Sequence, residues 1–163
     1  MATLFVTVGA PGSGKSYFAE KLCKEYGFVH LRSDTLRDIV FPHPTYTPAE
    51  NRKLFRLMDF LVSQFLSNGV SVVYDANFTK KAYRMDMQRV AKKNHARYAA
   101  LWIKTPLPIA LQRAKSRKYH RVGKGVVFGI HQKTEYPYDE PVVIVDGTKS
   151  YQNQKKLLRA YLR

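Results

Sequence analysis

Eight consecutive residues, Gly9-Ala10-Pro11-Gly12-Ser13-Gly14-Lys15-Ser16, have the types and spacing to hold a polyphosphate. Glycines let the backbone curl until successive N–H groups converge on phosphate oxygens. The pattern G-x-x-x-x-G-K-[ST] then adds a lysine that reaches the β- and γ-phosphates and a hydroxyl that ligates magnesium. Lys15 and Ser16 take those two places, and Tyr17 follows them directly. Such a loop binds a nucleotide but does not define a reaction. Phosphoryl transfer also needs a group that orients or deprotonates the acceptor, and cations for the developing charge.

Two carboxylates stand where that chemistry needs them. Asp34 follows the apolar run Phe28–Leu31 in Arg32-Ser33-Asp34-Thr35-Leu36-Arg37, and Asp75 closes Val72-Val73-Tyr74-Asp75. Asp34 and Arg37 are three residues apart and share a helix face, where one can accept a hydroxyl proton while the other grips an anionic part of the acceptor. Away from the loop, Ser33 or Asp34 reads equally well as a helix cap pairing with Arg37. Asp75 suits a magnesium-bound water at a strand end. Arg113, Arg117 and Arg121 recur every fourth residue, a stripe of the cation best matched to triphosphate oxygens. A segment of this kind, around 113–125, can close over a nucleotide as a lid.

The elements that must position these groups alternate. Leu4–Val8 reads as a buried strand ending at Gly9, and Lys15 to Tyr26 as a helix stopped by Gly27. Phe28–Leu31 is a second strand, with a short helix after Ser33. Thr47-Pro48-Ala49-Glu50 forms a capping box with Pro at the first helical position, opening a helix that runs to Gly69. Val70–Tyr74 is a strand, and Thr79 caps a helix to about Lys93. Ala96–Ile103 is a strand, and Leu107 to about Tyr119 a helix. Val142–Val145 is the last strand, and a final helix starts near Tyr151. Strands apolar on both faces, separated by helices, predict a parallel sheet covered on both sides. No repeat or linker divides the 163 residues, so residues 1–163 read as one domain.

Charge is the outlying property. Twenty-eight Lys and Arg face 12 Asp and Glu, a formal net charge of +16. From Met87 to Thr134 there is no carboxylate. Such a balance attracts polyanions, and the 87–134 stretch reads either as a solvated basic surface or as a surface for phosphates, of a nucleotide or, the first choice, of a nucleic-acid acceptor. Tyr46, Tyr119, Tyr136 and Tyr138 are candidates to stack on bases or to pack locally. The apolar N-terminal run is too short for a signal peptide, and no run reaches the ~18 residues of a membrane helix. The single Cys23 excludes an internal disulfide, and the five histidines show no metal spacing, so they read as core or surface residues. Cytoplasmic localisation is the expectation.

Together, GAPGSGKS, LRSDTLRDIV, VVYDANFTKKAYR and LQRAKSRKYHR resemble the P-loop kinases related to polynucleotide 5′-hydroxyl kinase, a group that includes zeta-toxin-like and some antibiotic kinases. The resemblance implies a doubly wound P-loop NTPase fold with strand order 2-3-1-4-5. It implies ATP and Mg2+ as cofactors, Asp34 as the general base and Arg37 as a contact to an acceptor phosphate. Arg113 and Arg117 would be the lid arginines. Thr148, in the Asp146-Gly147-Thr148 turn, would lie on the adenine side. The group often reads D-x-T-N after its third strand, one residue longer than Asp75-Ala76-Asn77. Its fused phosphatase or ligase domains have no counterpart in these residues. The expected reaction moves the γ-phosphoryl of ATP to a hydroxyl, first the 5′-hydroxyl of a nucleic acid. A small-molecule kinase for a nucleoside, sugar or antibiotic is the alternative, and an ATP-dependent nucleic-acid-binding regulatory module a second.

Overall fold

β1 (Thr3–Val8) lies at the middle of a five-stranded sheet with the order β2-β3-β1-β4-β5. β2 (Val29–Arg32), β3 (Val72–Asp75), β4 (Arg97–Lys104) and β5 (Val142–Asp146) complete it. Every pairing is parallel. The computed structural model describes residues 1–116 and 122–162. Strand order and fold class are as the sequence predicts.

Residues alternate across the strands, so each face has its own core. Leu4, Val6 and Val8 of β1 join Val72, Tyr74 and Trp102 on one face. That face is covered by α3 (Pro48–Ser67), through Leu54, Met58, Val62 and Leu66, and by α4 (Lys81–Lys93), through Met87 and Ala91. Phe5, Val73, Leu101 and Ile103 face the other way, onto Phe18, Leu22 and Cys23 of α1 (Lys15–Tyr26). α7 (Tyr151–Lys155) and the 3-10 turn Lys156–Leu158 close that side through Tyr151 and Leu158. Tyr136 stacks on Trp102 at 4.7 Å and Tyr138 meets it edge-on at 5.2 Å, so both pack locally. Tyr119 lies outside the described residues.

One short helix was not expected from the sequence, and another is followed only in part. α5 (Leu107–Lys115) is followed only to Ser116, so its predicted continuation to Tyr119 lies outside the described residues. α6 (Lys124–Lys133) falls partly inside the segment expected to be a lid. Its Val127 packs with Ala114 of α5 and Ala10 of the loop after β1, forming a small separate cluster. No helix among the described residues is long and apolar enough to cross a membrane.

Candidate active site

All strands being parallel, the turns after β1, β2, β3 and β5 gather at one edge of the sheet, the usual seat of ligand chemistry in such folds. The turn after β1 is the glycine loop. Gly14 precedes α1 at φ 103°, and no side chain caps the helix or places an acid in its first turn. The first-turn N–H groups therefore lack a side-chain acceptor, as an anion site requires. Ser13 Oγ is buried without a hydrogen-bond partner among the described residues, a further donor for a phosphate oxygen. Lys15 Nζ donates to the Gly9 and Ala10 carbonyls at 2.8 and 3.1 Å. Gly12 sits at φ 85° with its back against α5. A Cβ there would lie 2.0 Å from the Ala110 carbonyl oxygen.

The turns after β4 and β5 are tied to the same region, the first to the loop and the second to α5. Thr105 Oγ1 donates to the Ser13 carbonyl at 2.8 Å, and Arg113 Nη1 donates to the Gly147 carbonyl at 2.8 Å. Gly147 leaves no room for a side chain, since a Cβ would fall 1.9 Å from Thr105 Oγ1. Thr148 donates from both its N–H and its hydroxyl to Asp146 Oδ1. Arg113 thus joins α5 to the turn expected on the adenine side. Arg117 and Arg121, the remainder of the predicted stripe, lie outside the described residues. Tyr17 is exposed on the first turn of α1, with Lys21 over its ring.

Asp75 is buried at the end of β3, and its carboxylate is closely surrounded. His30 Nε2 lies 3.1 Å from Oδ2, and Thr7 Oγ1 lies 3.2 Å from Oδ1. Burial pushes this carboxyl up. Hydrogen bonds from His30 and Ser16 and the charge of Lys15 more than reverse that and hold it below the ordinary range. An ionised carboxylate beside the Ser16 hydroxyl is an all-oxygen donor pair, which fits a hard divalent cation completed by phosphate oxygens and water. Among the described residues no cluster of three His, Cys, Asp or Glu could hold a metal by itself. His30 is a site residue that the sequence reading assigned to core or surface.

Asp34 stands in the first turn of α2 (Ser33–Val40), at the same edge. It neither caps the helix nor pairs with Arg37. Its partner is Arg32, 3.9 Å away in a half-exposed pair. Arg37 is only 5% exposed and turns toward α3. Its Nη1 donates to Glu50 Oε1, its Nη2 donates to Asn51 Oδ1 at 2.6 Å, and the Tyr46 ring lies 4.6 Å from its Cζ. The capping box is therefore half formed. Thr47 Oγ1 accepts from the Glu50 N–H at 3.3 Å. The Glu50 carboxylate instead accepts from the Thr45 N–H and hydroxyl as well as from Arg37.

The AAA domain matches residues 4–136. The chain belongs to this family. Its fold is that of the P-loop kinases among the solved structures it resembles. The L-seryl-tRNA(Sec) kinase of Methanococcus maripaludis is 24% identical over 156 residues, covering 90% of this chain and 60% of that protein. The chain thus spans about 60% of the length of this curated relative. Among solved structures, a gluconokinase from Sinorhizobium meliloti superposes with a TM-score of 0.71 at 19% identity, over 99% of this chain and 91% of that one. A chain of the Pnkp1/Rnl/Hen1 RNA repair complex superposes with a TM-score of 0.72 at 22% identity, over 83% of this chain and 44% of that one.

Proposed function

We propose that this protein is a kinase that uses ATP and magnesium to phosphorylate a hydroxyl group carried by a nucleic acid, the 5′-hydroxyl first. The observation that carries the kinase chemistry is the meeting at one sheet edge of the phosphate loop, the Ser16–Asp75 pair and Asp34. Gly9 to Ser16 would cradle the phosphates, with Lys15 exchanging its loop carbonyls for phosphate oxygens. Ser16 and Asp75 would hold magnesium, which neutralises charge on the β- and γ-oxygens when bound. Asp34 takes the proton as the acceptor oxygen attacks the γ-phosphorus, and the bond to ADP breaks in line. Arg113, and Arg117 beyond the described residues, would neutralise the departing diphosphate, with Thr148 on the adenine side. Arg37 would reach an acceptor phosphate only by releasing Glu50. The lone, buried Cys23 suits a cytoplasmic setting.

The nucleic-acid acceptor is supported by the net charge of +16 and by relatives named for tRNA and RNA repair. The engagement of Arg37 by Glu50 favours a second reading, a small neutral acceptor, and the gluconokinase neighbour accords with it. Labelled ATP offered with 5′-hydroxyl RNA and DNA oligonucleotides, nucleosides and sugars separates the two. The proposal expects label on oligonucleotides, abolished by EDTA. Label on sugars or nucleosides alone selects the second reading, and no transfer to any acceptor removes both.

A further inference from the structure

The charge expected to meet nucleic acid, residues 87–134, is divided between the two edges of the sheet. α4 feeds the start of β4, so its C-terminal Lys92 and Lys93 lie at the amino edge, opposite the phosphate loop. α3 also runs against the strands, because it feeds the start of β3. Its N-terminal half therefore lies at the catalytic edge, beside β2 and β3, whose ends carry Asp34 and Asp75. That half presents Arg52, Lys53 and Arg56 outward, all exposed, and none of the three enters an ion pair among the described residues. Phe60 continues the face, 59% exposed, one turn beyond Arg56.

No acidic group of α3 offsets this charge. Glu50 is turned inward onto Arg37 and Thr45, and Asp59 accepts from the Tyr74 hydroxyl at 3.0 Å. The helix is held on its inner side by Leu54, Met58, Val62 and Leu66, so its outer face is free of packing duty. From Arg52 to Phe60 the helix rises about 12 Å, at about 1.5 Å per residue. That length matches roughly two nucleotides of a single strand. A positively charged surface beside an exposed aromatic ring is the combination used in sequence-tolerant single-strand binding.

We infer that the outer face of α3, through Arg52, Lys53, Arg56 and Phe60, is the track on which a single-stranded acceptor lies as its end enters the site at Asp34. The inference rests on the nucleic-acid reading proposed above. It moves the phosphate partners from the 87–134 stretch, and from the sequestered Arg37, to a helix that lies wholly before that stretch in the chain.

The test compares two triple variants of the full chain that each remove three positive charges. R52A/K53A/R56A removes the proposed track, and R89A/K92A/K93A removes the same charge from the far end of α4. Binding of a 5′-hydroxyl single-stranded oligonucleotide is titrated at several salt concentrations. Each phosphate left without its cation should flatten the slope of log K against log[salt] by about 0.7. The α3 variant should flatten the slope by about 1.4, for two phosphates at about 0.7 each, and raise KM for the oligonucleotide, with ATP affinity unchanged, whereas the α4 variant should keep the wild-type slope. F60A should weaken binding about tenfold without altering the slope, as expected for a stacking interaction. Equal flattening in both triple variants would mean diffuse charge and overturn the track while leaving the kinase reading intact. Wild-type protein that neither binds nor phosphorylates the oligonucleotide at low salt would remove the nucleic-acid reading and the track together. A preference for anionic vesicles over the oligonucleotide, abolished in the α3 variant, would reassign the face to a membrane surface.

Discussion

His30 Nε2 and Asp75 Oδ2 are 3.1 Å apart, joining β2 to β3 at the edge where the phosphate loop opens. Outer partners of this kind orient a metal-binding carboxylate, and their loss typically costs 10–100-fold in metal affinity. His30→Ala should raise the magnesium concentration for half-maximal activity by about tenfold or more, with nucleotide affinity in EDTA unchanged. An unaltered magnesium dependence would leave His30 a merely structural bridge between the strands.

Lys15→Ala removes the cation from the loop while leaving the glycine framework in place. Phosphate transfer should fall by about 10²-fold or more, the scale of losing one preorganised charge-stabilising group. The circular dichroism spectrum and melting temperature should stay close to wild type. Full turnover in this variant would contradict the role given to the loop.

Asp34 is half-exposed at the start of α2 and, among the described residues, makes only a long pair with Arg32. Asp34→Asn should lower kcat by about 10²-fold, as expected for a lost general base. ATP affinity should be unaffected. Weaker ATP binding with normal kcat would move Asp34 into the metal site instead.

Glu50 supplies a pH-dependent prediction. Burial pushes its carboxyl up, but hydrogen bonds from Thr45, then Arg37 and Tyr46, bring it down to about 2 from an ordinary 4.5. The folded value lies below the unfolded one, so its stabilising share is whole above pH 4.5 and is lost as pH falls toward 2. Urea unfolding from pH 7 to pH 2.5 should show wild-type stability falling across that window, and Glu50→Gln should fall less steeply there. Parallel curves would uncouple the Arg37–Glu50 pair from folding.

Gly12→Ala tests the seat of the phosphate loop on α5. The new methyl would meet the Ala110 carbonyl at 2.0 Å, and the backbone stands at φ 85°, where L residues are strained by about 1–2 kcal/mol. Both the melting temperature and nucleotide affinity should drop. Normal nucleotide affinity would show that the loop does not depend on this close approach.

The phosphate loop, the parallel strands and the position of Asp75 were legible because each has a strong local signal, whereas the strand order came from the family resemblance. Gly and Lys at fixed offsets mark the loop, and short apolar runs between turn residues mark buried parallel strands. α6 was missed because Gly125 and Gly129 depress its helix propensity and only Val127 is buried, so no apolar stripe announces it. Packing against Ala114 and Ala10 holds it instead. The partners of Arg37 and His30 were also hidden. Spacing predicts which residues share a helix face, but Arg37 turns from that face to another helix. His30 meets Asp75 only through the β2–β3 register, which no single segment encodes. Its one visible trace was a polar ring inside a four-residue strand that also holds the buried Leu31.

The place of β1 in the sheet sets when this protein can first become competent during its synthesis. Leu4 pairs with Val72 and Tyr98, so both flanks of the strand come from chain made much later. Pairings this distant in sequence form slowly, because loop closure precedes their reward. On the ribosome, β1 must wait for β3 and β4 to emerge before the turn that follows it has a floor. α5, which backs Gly12, emerges later still. A nascent chain arrested before residue 104 should therefore not be protected from proteolysis by nucleotide, although it already contains every residue from Gly9 to Ser16.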